Sequence, residues 1–422
     1  MNDKKVLSQD LPAATMIVLM LAAFTVSIGY GVVLPLLPYL IERLLGAGVA
    51  VSEVSRHTGL LTAVYTLSPF LFAPMWGRLA DRHGPRGVLL IGLVGFAVTM
   101  MIFAFVESLA AIYAERFLSG IFAAAVTPVA ASVIGNLSQT EQRRIRRFTF
   151  VSMAGITGFL LGPMLGVLVT GAGTSVFAVS LPAGSVALPL AATALLAVLV
   201  AVFAAFAMRG SDGHDRVQEA AMLSSNRPTW LVPKLLVLTF IVSASVGGFE
   251  VGLALRGTQE LGLTPTQVAL MFTECSLVMF VVQVIVFAPW FNPSLTRWLI
   301  APALAVLATG LFLVPRASDF TLMLVVVGAV AASAGILLPI LTYWISANAG
   351  CAQGWELGKQ TAAASLGVTV GSAAGGLLFN VAALPGASFI LTAGLAASGL
   401  LLTVGLTRLL RRSSPDLGLA PA

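Results

Sequence analysis

The chain has 422 residues, of which 58% are hydrophobic and only 9% charged. A soluble globular protein carries about 25% charged residues, so 23 basic and 17 acidic side chains cannot cover a surface of this size in water. A cytosolic enzyme, a secreted disulfide scaffold and a disordered regulator are all excluded, and an all-α integral membrane protein remains.

A membrane helix takes about 20 apolar residues. The polar N-terminus runs straight into a long apolar stretch with no small-residue cleavage pattern, so a first span is expected and not a removable signal. Apolar runs then follow at 13–40, 58–78, 88–106, 109–134, 148–170 and 186–208. A second set covers 233–255, 265–290, 296–315, 319–346, 358–380 and 386–408. None alternates polar and apolar residues as barrel strands do, so twelve transmembrane helices are expected. The expected domains are a first six-helix bundle over 1–208, a polar cytoplasmic linker over 209–232, and a second bundle with a short tail over 233–422.

Basic residues collect in cytoplasmic loops. With the N-terminus inside, 18 of the 23 fall in inside segments, among them Arg78, Arg82, Arg86, Arg143, Arg144, Arg146 and Arg147. Both termini are therefore expected in the cytoplasm of a cell with a plasma (inner) membrane. The net charge of +6 is an orientation signal, and nucleic acid is not an expected partner. Cys275 and Cys351 lack metal spacing, and His57, His83 and His214 fall in predicted loops. No metal or organic cofactor is expected, and with no nucleophile–base pair in view the chain is not expected to be an enzyme.

The halves echo each other. Ser27-Ile28-Gly29 in the first span matches Ser245-Val246-Gly247 in the seventh, and Phe72-Ala73-Pro74 matches Phe287-Ala288-Pro289. Gly158, Gly162 and Gly166 match Gly367, Gly371 and Gly375 with identical spacing. The three offsets lie close to half the chain, which points to a duplicated bundle.

The loop after the second span reads Gly77-Arg78-Leu79-Ala80-Asp81-Arg82-His83-Gly84-Pro85-Arg86. Glycines suit a tight reversal, and an acid at the membrane edge among three arginines implies pairing. In the fourth span, Arg116 is followed at four-residue spacing by Gly120. An intramembrane arginine faces a bundle interior or a water-filled cavity, or else pairs with a nearby acid. Glu115 is adjacent but about 100° away around the helix, so the two need not pair. The fifth span carries Gly158-x-x-x-Gly162-Pro163-x-x-Gly166, a spacing that lets helix backbones approach closely. Three carboxylates fall within spans, Glu115, Glu250 and Glu274, and a carboxyl group deprived of water can hold and pass a proton near neutral pH. Each of them could equally be structurally paired. Tyr30, Tyr65, Gln283 and Trp344 are candidate cavity contacts, with packing as the alternative for the aromatics.

Taken together, these features resemble the major facilitator superfamily over essentially the whole chain. The loop is similar to that family's Gly-x-Leu-x-Asp-Arg-x-Gly-Arg-[Arg/Lys] signature, with Pro85 where a basic residue is usual and Asn136 where an Asp partner is common. The resemblance implies two pseudo-symmetric six-helix bundles and a conformational latch made by Gly77, Asp81, Arg82, Gly84 and Arg86. It assigns Arg116 to proton coupling, and it makes Gly158, Gly162, Pro163 and Gly166 an antiporter-type motif, with Val167 replacing a final glycine. The pattern looks like the twelve-span drug–proton antiporter branch, with a stretch from His57 to Leu90 similar to tetracycline exporters. The function so implied is efflux of small amphipathic or drug-like molecules by a monomer driven by the proton gradient. Glu250 or Glu274 would carry the proton, and Arg116 would stabilise the ionised acid. Uptake of a metabolite by a symporter or uniporter is the alternative, and a non-transporting receptor or scaffold is the third reading.

Overall fold

The computed structural model describes residues 11–46, 48–137, 141–176, 187–208, 230–286, 295–317, 319–348, 353–381 and 383–413. These residues form helices and connecting turns with no strand among them. Eleven helices are long and apolar enough to cross a bilayer. The first six spans are Ala13–Leu45, Val51–Ala80, Pro85–Phe103, Leu109–Ile134, Arg146–Leu165 and Ala187–Ala207. The next five are Leu231–Glu260, Pro265–Val286, Thr296–Arg316, Phe320–Asn348 and Glu356–Leu378. A twelfth apolar helix, Ala387–Thr403, has 17 residues, about 26 Å at 1.5 Å per residue. The expected linker (209–229 of it), the second-half counterpart of the loop at 287–294, and Cys351 lie outside the described residues, as do the side chains of Asp81 and Asn136 and the surroundings of Gly166.

The second helix runs Val51–His83 and so starts well before the apolar stretch at 58. His57 therefore sits on a helix and not in the expected loop, and its Nδ1 lies 2.9 Å from the Tyr113 hydroxyl on the fourth span. The polar residues before 58 can stay helical because they extend past the hydrocarbon, where water and the headgroups meet them. Gly84, with φ of +86°, makes the reversal to the third span. Pro85 then opens Pro85–Phe103, a first-turn position where its missing N–H costs nothing.

Packing repeats with a shift of six spans. The fifth span packs on the first as the eleventh packs on the seventh. Likewise the third and sixth pair as the ninth and twelfth do, and the second and fourth as the eighth and tenth do. The glycine repeat is the physical reason for the closest of these pairs. Gly158 lies on the Phe24 carbonyl and Gly162 on Gly31 and the Ile28 carbonyl. Gly367 lies on the Phe240 carbonyl, Gly371 on that of Ala244, and Gly375 on Gly248. A Cβ at Gly162 would stand 2.8 Å from the Gly31 backbone and one at Gly367 2.5 Å from the Phe240 carbonyl oxygen, so only glycine allows these backbones together. The buried apolar side chains divide the same way, two clusters from the first half and one from the second, which Leu34 alone joins from the first half.

The halves meet through two symmetry-related pairs, second with eleventh and fifth with eighth. At the end opposite the arginine-rich loops they close tightly. Gly59 lies against the backbones of Ser372 and Gly376. Asn380 Nδ2 donates to Ser55 Oγ at 2.6 Å and to Gln259 Oε1 at 3.0 Å, while Ser55 Oγ also donates to Gln259 Oε1 at 3.0 Å. Nearby, the Tyr39 hydroxyl donates to the Leu263 carbonyl at 2.8 Å. Gln259 is set by a π-helical turn, Arg256–Glu260. Arg256 holds that turn by pairing with Glu260 and donating to the Ala317 carbonyl at 2.8 Å.

Candidate functional site

Midway along the first and seventh spans the halves touch through a polar bond embedded in aromatic rings. Tyr30, on the first span, donates its hydroxyl to Glu250 Oε2 on the seventh at 2.8 Å. The Tyr30 ring stacks on Tyr65 of the second span at 5.5 Å and on Phe159 of the fifth at 5.7 Å. Phe159 meets Phe272 of the eighth edge-on at 6.4 Å. The Thr66 and Thr369 hydroxyls bond across the halves at 3.1 Å. Five spans thus bring one carboxylate, two phenols and two phenylalanine rings together. Such a site can hold a flat or apolar body by stacking and a polar or cationic group by the acid.

Arg116 lies behind Tyr65. Its guanidinium is 5.4 Å from the Tyr65 ring centre and 4.3 Å from that of Phe103. It donates to both oxygens of Glu115, from Nε at 2.7 Å and from Nη2 at 3.0 Å. The expectation that these neighbours need not pair is corrected. At 3% and 2% exposure, neither charge has water to turn to, and two long side chains bridge the 100° between them. Arg116 therefore answers Glu115, and its expected role beside Glu250 or Glu274 loses its geometric basis.

Glu274 is not part of the aromatic cluster. Its Oε1 fills the hollow at Gly328 on the tenth span, and its Oε2 is buried with no hydrogen-bond partner among the described residues. Gln283 is buried on the eighth span, 11 residues beyond Phe272, about 16 Å along the helix. Trp344 is buried in the second-half core and donates to Thr296 Oγ1 at 3.1 Å.

Among the residues expected to form a latch, Gly77 faces Pro128 of the fourth span and Gly84 supplies the turn. Arg82 is exposed at the helix end. Arg86 Nη2 donates to the Ala205 carbonyl at 2.6 Å, tying the third span to the end of the sixth. Gly158 and Gly162 make the backbone contacts described above, and Pro163 lies buried inside the long helix Glu141–Val176. Sequence reasoning missed Phe159 and Phe272, two of many phenylalanines in uniformly apolar spans. It also missed Ser55, Gln259 and Asn380, although polar side chains that recur near the same ends of three spans were a usable signal.

The model of the Major Facilitator Superfamily matches residues 19–354. Multidrug resistance protein 2 of Bacillus subtilis is 26% identical over 380 residues, covering 86% of this chain and 88% of that protein. Multidrug resistance protein 1 of the same organism is 26% identical, with 87% and 90% covered. Quinolone resistance protein NorA of Staphylococcus aureus is 23% identical, with 85% and 88% covered. The crystal structure of the human organic anion transporter MFSD10 (TETRAN) superposes with a TM-score of 0.72 at 21% identity, over 93% of this chain and all of that one. The duplicated bundles, the glycine-packed span pairs and the family match over most of the chain agree: this chain is a multi-pass membrane transporter, not an enzyme, and it belongs to the major facilitator superfamily.

Proposed function

We propose that the protein exports small amphipathic molecules in exchange for protons, with Glu250 as the group that both compete for. The observation that carries this reading is the bond between Tyr30 and Glu250, placed where the two halves must separate. The likeness to multidrug and quinolone resistance proteins along nearly the whole chain supports the direction.

The geometry suggests a cycle. With the far end closed, Tyr30 occupies the Glu250 carboxylate and helps hold the halves together. A substrate entering from the arginine-rich side stacks on Tyr65, Phe159 and Phe272 and takes the place of the Tyr30 hydroxyl on Glu250. A charge-assisted hydrogen bond contributes about 1.5–3 kcal/mol, so losing it favours separation at the far end. A proton arriving from that side then neutralises Glu250, releases the substrate and lets the far end close again, and that proton leaves on the arginine-rich side when the next substrate takes its place on Glu250.

In this reading the arginine-rich loops and both termini are cytoplasmic, the far end opens outside a plasma membrane, and the energy source is the proton gradient without a cofactor. The bundles are assigned to 1–208 and 233–422, joined by 209–232, and the monomer is the working unit. Inverted and right-side-out membrane vesicles test the direction. Export predicts that an amphipathic dye accumulates in inverted vesicles when an acid-inside gradient is imposed and collapses with an uncoupler. Accumulation only in right-side-out vesicles would instead establish uptake.

A further inference from the structure

We infer that the short helix after the twelfth span is a docking site for anionic phospholipid, whose phosphodiester group it takes on a face of arginines. The helix, Leu406–Ser413, is set off from the twelfth span by Gly405, which has a φ of +75°. At about 100° per residue, Leu406 and Leu410 share one side and Arg408 and Arg411 lie opposite. The two leucines are buried and the two arginines exposed. The helix is about 12 Å long, and it packs on the seventh, ninth and twelfth spans. Its leucines therefore face the bundle, and its arginines turn away from it.

The neighbouring residues place this face at the level of the headgroups. Trp230 stands at the start of the seventh span and Trp298 at the start of the ninth, and they are 81% and 60% exposed. Tryptophan collects where hydrocarbon meets water. Val404, just before the helix, is 75% exposed and offers an apolar contact to acyl chains at that level. Lys234 Nζ donates to the Val404 carbonyl at 3.1 Å, which ties the seventh span to the end of the twelfth and adds a cation. Arg297 precedes Trp298, and its Nε is buried with no hydrogen-bond partner among the described residues. No acid among the described residues pairs with Arg297, Arg408 or Arg411. A phosphodiester carries one negative charge on two free oxygens, which suits the fork of a guanidinium group. A zwitterionic headgroup brings its own cation and leaves these arginines unanswered. Free phosphate has the charge but no chains for Val404 and the tryptophans, so an anionic lipid is the occupant.

The site depends on neither the direction of transport nor its coupling. The full-length protein, purified in detergent and stripped of lipid, is titrated with phosphatidylglycerol, phosphatidylcholine and inorganic phosphate, and binding and thermal unfolding are followed. Phosphatidylglycerol is expected to raise the unfolding temperature and to bind about tenfold or more tightly than phosphatidylcholine. Arg408→Gln/Arg411→Gln unfolds like the wild type in detergent alone, because both side chains are exposed, and binds phosphatidylglycerol about tenfold or more weakly. Arg408→Lys/Arg411→Lys keeps most of the binding, and Arg297→Gln weakens it several-fold by itself. Arg78→Gln, an exposed arginine at the same end of the first half, leaves it unchanged. Equal binding of the two lipids, or undiminished binding in Arg408→Gln/Arg411→Gln, overturns the site. An equal loss in Arg78→Gln does so too, since it would reduce the effect to the attraction of a basic end as a whole. Displacement of the lipid by an equal concentration of inorganic phosphate also overturns it and leaves an anion site that ignores the chains.

Discussion

Glu115 and Arg116 lie buried together in the fourth span, and each satisfies the other through two hydrogen bonds. Removing one partner from a buried ion pair costs about 3–5 kcal/mol, because the other is left uncompensated, whereas an apolar replacement of both is often tolerated. Arg116→Met is accordingly expected to lower the thermal unfolding temperature of the purified protein strongly. The double variant Glu115→Leu/Arg116→Met recovers most of the loss. If the double variant keeps its fold but loses proton-driven transport, the pair acts in coupling as well as in structure. Sequence alone could locate these charges, since a charged residue stands out in an apolar run. It could not choose their partners, because pairing depends on side-chain reach as well as on helical phase. The same limit applied to Tyr30 and Glu250, which are 220 residues apart and carry no local mark of their contact.

Helix pairing is governed by glycine. In the eleventh span Gly371 lies so close to the Ala244 carbonyl that no side chain fits between them. Gly371→Ala must push the eleventh and seventh spans apart, at a cost of about 1–3 kcal/mol for overpacking. Gly394→Ala in the twelfth helix meets nothing within 4 Å and is expected to be neutral or to stabilise by up to about 1 kcal/mol. Thermal unfolding of the two variants in detergent checks the contrast, and equal effects would contradict it. The glycine spacing was legible in the sequence, and so was its repetition in the second half. Which helix each glycine row faced was not, because the spans are apolar on nearly every side and no single face announces its neighbour. The eighth span shows the same thing, since the place of Glu274 against Gly328 of the tenth span emerged only once the packing of these spans was known.

Over the whole molecule, the pseudo-symmetry places the second–eleventh and fifth–eighth pairs as two seams between the halves, with the Tyr30–Glu250 bond between them and polar contacts at the far end. Those contacts depend on Gln259, which accepts from both Ser55 and Asn380. Gln259→Ala is expected to shift the protein towards the far-end-open state. In a Cys351→Ser background with Thr369→Cys as reporter, an impermeant maleimide added from the far side should label several-fold faster once Gln259 is replaced. An unchanged rate would show that the glycine contacts at Gly59 and Gly376 close this end by themselves. The apolar spans were legible in hydropathy and their duplication in the repeated glycine spacing, signals that act over whole segments. The contacts that set the conformation arise between segments far apart in the chain, and composition holds no record of them.

The central claim is that substrate and proton compete for Glu250 while Tyr30 holds it in the closed state. The most direct test is proton release from the purified protein in weakly buffered solution on addition of an exported substrate. The account predicts release in the wild type, with a size that changes with pH, altered release and weaker closure in Tyr30→Phe, and no release in Glu250→Gln although the substrate still binds by stacking. Release of undiminished size from Glu250→Gln would contradict the account and place the coupling elsewhere in the protein.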